Sequence, residues 1–163
     1  MVQENGYNFY IDKGISETNE GKFEEALDTL DKAIALDSKR PLAYFSKGIV
    51  FQYLNDPQSA YDNYSTAIDL DSRMTDAYYN RAQVLLADKE ADNEKLKSAL
   101  DDLNKAIELD PKFVDALYYK AALQKKFEDY KGALDTLDKV LKIEPNAVYS
   151  RALKKLILQK YLK

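Results

Sequence analysis

The feature that most constrains this sequence is a thirteen-residue segment that occurs four times with small changes. The copies begin at residues 26, 60, 99 and 133, and they read ALDTLDKAIALDS, AYDNYSTAIDLDS, ALDDLNKAIELDP and ALDTLDKVLKIEP. Within each copy the apolar residues recur every three or four positions, which is the period of an α-helix and not of a strand. Each copy therefore predicts an amphipathic helix.

A second helical pattern precedes each of these copies. The segments are YNFYIDKGISET from residue 7, PLAYFSKGIVFQYL from 41, TDAYYNRAQVLLA from 75 and VDALYYKAALQKKF from 114. Each places a bulky residue one helical turn before a small one, and the pairs are Tyr10 and Gly14, Tyr44 and Gly48, Tyr78 and Ala82, and Leu117 and Ala121. A small residue on that face lets a neighbouring helix approach closely. The sequence therefore predicts helical hairpins.

The predicted hairpins must stack on one another. A two-helix unit cannot bury both of its apolar faces alone, whereas four stacked units form a continuous core in which each unit contacts its neighbours. We therefore predict an all-α fold with four hairpins, at residues 7–40, 41–74, 75–113 and 114–147. Residues 1–6 are assigned to an N-terminal tail, and residues 148–163 to a C-terminal capping helix.

The repeat period and its bulky, small, Ala and Pro positions resemble the tetratricopeptide repeat (TPR) family over residues 7–147. The resemblance implies a right-handed α-solenoid. The chain departs from the family pattern in three places: Tyr or Leu replaces the usual Trp, Ser38 and Ser72 replace proline, and the third repeat carries five extra residues near 88–94. This insertion must extend the hairpin or bulge its turn. A tolerated longer loop is favoured over a binding loop, because loops lengthen at small free-energy cost.

Composition argues against an enzyme. The chain has neither cysteine nor histidine, which excludes disulfides, thiolate nucleophiles, Ser-His-Asp triads and nearly every zinc site. Its five glycines are scattered and form no phosphate-binding loop. The acidic segment from Asp88 does not match a calcium loop, because Asn93 and Ala99 stand where glycine and a bidentate glutamate are needed. We expect no catalytic activity, no metal and no cofactor.

Charge and hydropathy limit the classes of partner. The net charge of −4 and the pI near 5.0 are the opposite of what binding to phosphate backbones requires, so we expect no nucleic acid partner. The sequence has no apolar run of about 18 residues and no signal-like start. A membrane partner is therefore disfavoured, and a cytoplasmic location is expected.

The resemblance also implies where a partner binds, because the first helix of each repeat lines the concave face of such folds. In the second repeat PLAYFSKGIVFQYL is apolar nearly all round, so its side away from the hairpin must be buried by something else. The predicted partner-binding residues come from the corresponding side of the four first helices. Asn80 and Tyr119 are added from the polar positions beside them. They are Ile11, Ile15, Leu42, Phe45, Ile49, Tyr79, Asn80, Tyr118 and Tyr119. An open groove is favoured, and coverage by superhelical packing or by the C-terminal helix is the alternative.

One binding mode of the family is disfavoured by residue type. Chaperone adaptors hold a C-terminal carboxylate with basic residues and asparagines at fixed positions of three repeats. The corresponding positions here are Ile11, Ile15, Ser46, Asp76 and Asn80, or, shifted by one repeat, Phe45, Ile49, Asn80, Asp115 and Tyr119. Asn80 alone fits that pattern, and a carboxylate at Asp115 would repel the ligand.

The C-terminal segment YSRALKKLILQKYLK carries five basic residues and no acidic one. A basic amphipathic helix of this kind is compatible with binding to an anionic partner or a membrane surface. A terminal cap is favoured, in which Leu153, Leu156, Ile157 and Tyr161 help to seal the last repeat.

These patterns together predict a non-enzymatic protein–protein interaction module. Its ligand is predicted to be a peptide or a helix of an unidentified protein, bound in an apolar and aromatic concave groove. The alternative is a structural scaffold that self-associates through the same surface, for example as a homodimer.

Overall fold

A computed structural model describes residues 2–160, with side chains from Gly6 onward. This part of the chain contains nine helices and no strand, which confirms the predicted all-α class. The helices are α1 (Val2–Asn19), α2 (Phe23–Leu36), α3 (Pro41–Tyr53), α4 (Pro57–Leu70), α5 (Thr75–Ala87), α6 (Asn93–Leu109), α7 (Val114–Lys126), α8 (Tyr130–Ile143) and α9 (Val148–Lys160). The contacts divide the chain into two compact units, Met1–Val84 and Leu85–Lys163.

The ends of the chain differ in part from the prediction. Helix α1 begins at Val2, so most of the segment assigned to a tail belongs to the first helix. Helix α9 occupies the segment assigned to a capping helix as far as Lys160. Residues 161–163, including Tyr161, lie outside the described residues.

The first unit contains two hairpins, in which α1 packs against α2 and α3 against α4. Glycine allows the close approach in both. A Cβ atom added at Gly14 would lie 2.8 Å from side-chain carbons of Leu30, and one added at Gly48 would lie 2.5 Å from a ring carbon of Tyr64. Both distances are shorter than non-bonded carbon contacts allow. The small positions of the repeat therefore mark where the helices of a hairpin touch.

Two clusters of buried residues form the core of the first unit. One contains Tyr7, Ile11, Ala26, Leu30, Ala33, Ala43 and Val50. The other contains Ala60, Tyr64 and Val84, with Phe45, Ile49, Phe51 and Tyr61 packed against it. The membership of Ile11 corrects one expectation. This side chain is 3% exposed and belongs to the core, so it is not available to contact a partner.

The beginning of α3 is capped by a side chain from α1. The flanking residue Arg40 makes no side-chain capping bond, and the N–H of Ala43 is one of the first four, which have no acceptor within the helix. The hydroxyl of Tyr7 accepts a hydrogen bond from this N–H at 3.1 Å and donates one to the carbonyl oxygen of Arg40 at 3.4 Å. The Arg40 guanidinium lies over the Tyr7 ring, 3.9 Å from its centroid. Tyr7 therefore links the first hairpin to the second.

The Tyr7→Phe substitution is expected to lower the free energy of unfolding by about 1–2 kcal/mol, because it leaves a buried N–H without an acceptor. Chemical denaturation monitored by circular dichroism measures the change. Tyr44→Phe is the matched control, because the Tyr44 hydroxyl donates an exposed hydrogen bond to Ser38. Its effect is expected to stay within about 0.5 kcal/mol. Equal effects of the two substitutions would contradict the capping role.

The same substitution has a second readout at alkaline pH. Burial raises the pKa of Tyr7 above 10.0, although its hydrogen bond from Ala43 and the charge of Arg40 oppose the shift. Because the neutral phenol is favoured in the folded state, this stabilisation is complete below about pH 10 and is lost as the pH rises further. Tyr7→Phe should therefore reduce the loss of stability above pH 10.

The turns within three hairpins share a left-handed residue at the same position. It is Gly21 between α1 and α2, Asn55 between α3 and α4, and Glu128 between α7 and α8, with φ values of +76°, +56° and +64°. Asp56 caps the beginning of α4, since its carboxylate accepts a hydrogen bond from the Ser59 N–H at 3.1 Å.

The five inserted residues have two structural effects. Helices α2, α4 and α8 each begin three residues before the alanine that opens the repeated segment, whereas α6 begins at Asn93, six residues before Ala99. The turn at 88–92 is also two residues longer than the turns at 20–22, 54–56 and 127–129. Asp88 holds this turn together, with an ion pair to Lys95 at 2.7 Å. The insertion thus extends α6 by three residues and its preceding turn by two.

The second unit ends with α9, which contacts both α7 and α8. Its inner face is anchored by Ile157, which is fully buried with Ala121, Ala133 and Leu137. Lys154 adds an ion pair with Asp138 of α8. Helix α9 therefore covers the apolar faces that the last hairpin would otherwise expose.

Candidate partner-binding groove

An apolar pocket lies between the first helices of the two hairpins in the first unit. Its volume is about 170 Å³. It is lined by Ile15, Thr18 and Asn19 of α1 and by Leu42, Phe45, Ser46, Ile49 and Tyr53 of α3. The α3 residues recur at helical spacing and so form one stripe along the helix.

The pocket exists because α3 is apolar on two sides. One side packs inward through Ala43, Gly48 and Val50, which are buried. The other side carries Leu42, Phe45 and Ile49 toward the pocket. The Phe45 ring packs at its base against the Tyr64 ring, with 5.7 Å between centroids, and so forms the floor of the pocket. Burial raises the pKa of Tyr64 above its ordinary value, as expected for a phenol enclosed by apolar groups.

The rim of the pocket is accessible. The exposed fraction is 41% for Ile15, 38% for Leu42 and 64% for Tyr53. The Tyr53 ring stacks on Phe23 at 5.5 Å, which holds it in place despite its exposure. Exposed apolar side chains that are held rigidly lose little conformational entropy when a ligand covers them.

The polar groups of the pocket are few and uncharged. The Thr18 hydroxyl is used within α1, where it donates to the Gly14 carbonyl at 2.7 Å. The Ser46 side chain is buried at the floor, and Asn19 lies exposed at the rim. Since none of the lining side chains is charged, the pocket suits an apolar group and offers no cation for a carboxylate.

The structure brings some of the predicted residues together and not others. Ile15, Leu42, Phe45 and Ile49 line the pocket. Tyr79 and Asn80 are half-buried on α5 and are not among the lining residues. The sequence reasoning missed Thr18, Asn19, Ser46 and Tyr53 as lining residues. Of these Tyr53 could have been found, because it continues the α3 stripe four residues after Ile49.

The predicted tyrosines of the second unit form a separate cluster. The rings of Tyr118 and Tyr119 meet edge to face at 5.5 Å, and the Tyr118 ring also lies 6.4 Å from that of Tyr149 on α9. Tyr118 packs against the buried cluster that contains Ala121, Ala133, Leu137 and Ile157. The sequence analysis did not include Tyr149. Its helix lacks the small residue that marks the first helix of each repeat, because Lys155 stands at that position.

Other kinds of site find no support within the described residues. Among residues 2–160, no three His, Cys, Asp or Glu side chains are grouped so that they could bind a metal ion. None of the helices in the same part of the chain is both long enough and apolar enough to cross a membrane.

A helical repeat protein with an apolar groove between first helices is the class that this geometry defines. Family models described as tetratricopeptide or TPR repeats match residues 16–55, 45–94 and 90–156. The chain belongs to the tetratricopeptide repeat family. Families of this kind are generally interaction modules without catalytic activity.

Solved structures of similar fold are known, whereas no curated protein matches the sequence. The MamA protein of Desulfovibrio magneticus RS-1 has 19% identity and a TM-score of 0.80, with 94% of this chain and 84% of that chain covered. PilF of Pseudomonas aeruginosa has 21% identity and a TM-score of 0.82, with 98% and 71% covered. The first TPR domain of Spaghetti (RPAP3), bound to the HSP90 peptide SRMEEVD, has 23% identity and a TM-score of 0.68, with 78% and 97% covered. These similarities establish the helical repeat fold.

Proposed function

We propose that this protein binds a peptide segment or a helix of another protein, and that the pocket between α1 and α3 receives one bulky apolar side chain of that ligand. The observation that carries the proposal is the accessible apolar rim formed by Ile15, Leu42 and Tyr53 around a floor made by Phe45 and Ile49. A contiguous apolar surface with aromatic residues is typical of an interaction site.

The size of the pocket limits what can enter it. Engineered apolar cavities of about 150 Å³ bind benzene, so a pocket of about 170 Å³ has room for one aromatic ring or one branched aliphatic side chain. The stripe from Leu42 to Tyr53 covers about 16 Å along α3. This length suits about three turns of a partner helix or a short extended segment, with the anchoring side chain near its middle.

The expected ligand differs from the peptide held by the Spaghetti domain. That peptide, SRMEEVD, carries three acidic residues. The lining residues of the pocket in this chain include no lysine or arginine. We therefore infer that the anchor is an apolar side chain within a segment and not a carboxylate at its end. A cytoplasmic location stays a prediction.

The proposal is tested by selecting random peptides, displayed on phage, against the wild-type chain. Binders are expected to share a Phe, Leu or Met anchor, and Leu42→Gln or Ile15→Gln is expected to weaken them about tenfold, since each removes rim contacts without disturbing the core. Phe9→Gln is the matched control. It removes another exposed apolar residue of α1 that does not line the pocket, so affinity should not change.

Two outcomes would contradict the proposal. Peptides whose affinity is the same for wild type and Leu42→Gln would place binding elsewhere. Light scattering supplies the other test: a dimer that dissociates on Leu42→Gln substitution would mean that a second copy of the chain fills the groove. The protein would then be a self-associating scaffold.

A further inference from the structure

The negative charge of the chain is concentrated in the unit that contains the α1–α3 pocket. Residues 1–84 include fourteen acidic and eight basic residues, whereas residues 85–163 include fourteen acidic and sixteen basic ones. The first unit is therefore acidic, and the second is slightly basic. Because the side chains that line the pocket are uncharged, the charges around it decide which charged residues a ligand can place beside its apolar anchor.

Asp12 lies at the edge of the pocket. It precedes Ile15 by three residues and Asn19 by seven on α1, and residues at these spacings share one side of a helix. Ile15 and Asn19 both line the pocket, and Asp12 is exposed. A ligand that covers Ile15 therefore comes within reach of the Asp12 carboxylate.

The basic residues of the two pocket helices are engaged elsewhere. They are Lys13 on α1 and Lys47 on α3. Lys13 pairs with Glu17 at 3.5 Å, and Lys47 pairs with Asp31 of α2 at 2.6 Å. Among the side chains that the structure describes, no lysine or arginine forms an ion pair with Asp12. Its carboxylate is therefore available to a cation of a ligand.

Arg40 is a further cation of this region and is held by uncharged groups. Its guanidinium lies over the Tyr7 ring, 3.9 Å from the centroid, and donates a hydrogen bond to Oδ1 of Asn8 at 3.3 Å. Asn8 lies one helical turn before Asp12. Arg40 also directly precedes α3, so its charge lies at the beginning of that helix and away from the Tyr53 end of the pocket.

The Tyr53 end of the pocket is negative as well. Asn19 and Tyr53 are the last residues of α1 and α3, and both line the pocket. The C-terminal end of a helix carries a partial negative charge that favours cations. Neither helix has a basic residue in its last turn, and Lys22 of the following turn is paired with Glu20 at 2.6 Å. Two helix ends therefore add to the negative potential that Asp12 creates.

We propose that the segment bound by the α1–α3 pocket is basic, with lysine or arginine beside its apolar anchor, and that Asp12 pairs with one of these cations. This inference rests on the proposed function, because it names the chemistry of the ligand of the same pocket. The apolar contacts supply most of the affinity, whereas the charges select the partner and speed its association. An acidic segment, an anionic bilayer or a nucleic acid has the wrong sign for this rim.

The test uses phage-displayed random peptides selected on the wild-type chain, taking those that Leu42→Gln weakens. These peptides are expected to be enriched in Lys and Arg near the anchor. Asp12→Lys should weaken them about tenfold, because it replaces an attraction by a repulsion and each is worth up to about fivefold at an exposed site. The loss should arise mainly from slower association and should shrink as salt is added.

Asp28→Lys is the matched control for this substitution. It makes the same change of charge at an exposed residue of the same unit, on α2, which does not line the pocket. Because salt screens exposed charges beyond about 10 Å, peptide affinity should change by less than about twofold. An equal loss for Asp12→Lys and Asp28→Lys would mean that the peptides respond to net charge and not to Asp12, which overturns the inference.

Exchanging the charges gives a readout that a merely structural role of Asp12 would not produce. A peptide whose basic residue is replaced by Glu should bind the wild type about tenfold more weakly, and it should recover most of that loss on Asp12→Lys. If Asp12→Lys weakens the original and the exchanged peptide equally, Asp12 does not recognise the cation and the inference is wrong.

The outcomes separate this inference from the proposed function. The inference alone fails if peptides that depend on Leu42 show no excess of Lys and Arg, or if they bind Asp12→Lys as tightly as the wild type. Both fail if no peptide depends on Leu42. A dimer that dissociates on Asp12→Lys and on Leu42→Gln would also overturn the inference, because the occupant would then be a second copy of the chain, whose α9 has basic residues and no acidic one.

Discussion

Replacing Tyr64 with alanine is expected to lower the free energy of unfolding by about 3–5 kcal/mol, the range for truncating a fully buried aromatic residue. The Tyr64 ring is completely buried between α3 and α4, and its hydroxyl donates a hydrogen bond to Oε1 of Gln52. Alanine would leave a cavity behind Phe45, at the floor of the pocket. Urea denaturation followed by circular dichroism measures the loss. A change below 1 kcal/mol would mean that the ring is not a core residue.

The cause of this sensitivity is a match in size between Tyr64 and Gly48. Gly48→Ala would place a methyl group 2.5 Å from the ring, so it is expected to cost about 1–2 kcal/mol although alanine is the better helix former. The equivalent pair in the last hairpin is Ala121 with Leu137, and both belong to one core cluster. Copying that pair tests the argument directly. The decrease in the free energy of unfolding for the double variant Gly48→Ala/Tyr64→Leu should be smaller, by at least about 1 kcal/mol, than the sum of the decreases for the two single variants. Additive losses would show that the two positions do not determine each other.

Truncation of Ile157 is the second substitution with a large expected effect. Ile157→Ala is expected to cost about 3 kcal/mol, because the side chain is fully buried against Ala121, Ala133 and Leu137 and is the main apolar anchor of α9. Loss of this anchor should also expose the inner face of α9 and increase its rate of amide hydrogen exchange.

The adjacent residue provides the control for this experiment. Leu158 is exposed on the same helix, so Leu158→Ala removes a similar side chain and should change stability by less than about 0.5 kcal/mol. If both substitutions had the same small effect, α9 would not be a structural cap of the second unit.

Most of the fold follows from short-range patterns in the sequence. The helical period and the position of small residues locate the helices, because they depend on spacing along one helix. The N-cap at Asp56 was predictable for the same reason, since the bond joins residues three apart. The cap that Tyr7 provides was not, because it joins residues 36 apart and no local pattern signals it.

The candidate site shows a similar division. Ile15, Leu42, Phe45 and Ile49 were found from the sequence because an apolar stripe facing away from its own hairpin is visible in the order of residues. Ile11 occupies an equivalent stripe position and is buried beside Tyr7. The sequence alone cannot separate these two cases, since both present the same apolar pattern and differ in which neighbour covers the side chain.

The insertion near 88–94 was likewise only partly predictable from the sequence. Its length and place were evident from the repeat spacing, but the division into three helical and two turn residues depends on the cap at Asp92 and the ion pair between Asp88 and Lys95. The sequence by itself determined the helical repeat, the hairpin contacts and the absence of cysteine and histidine. The tertiary structure decided which apolar faces stay open, because exposure is set by the packing of neighbouring helices and not by the residues of one helix.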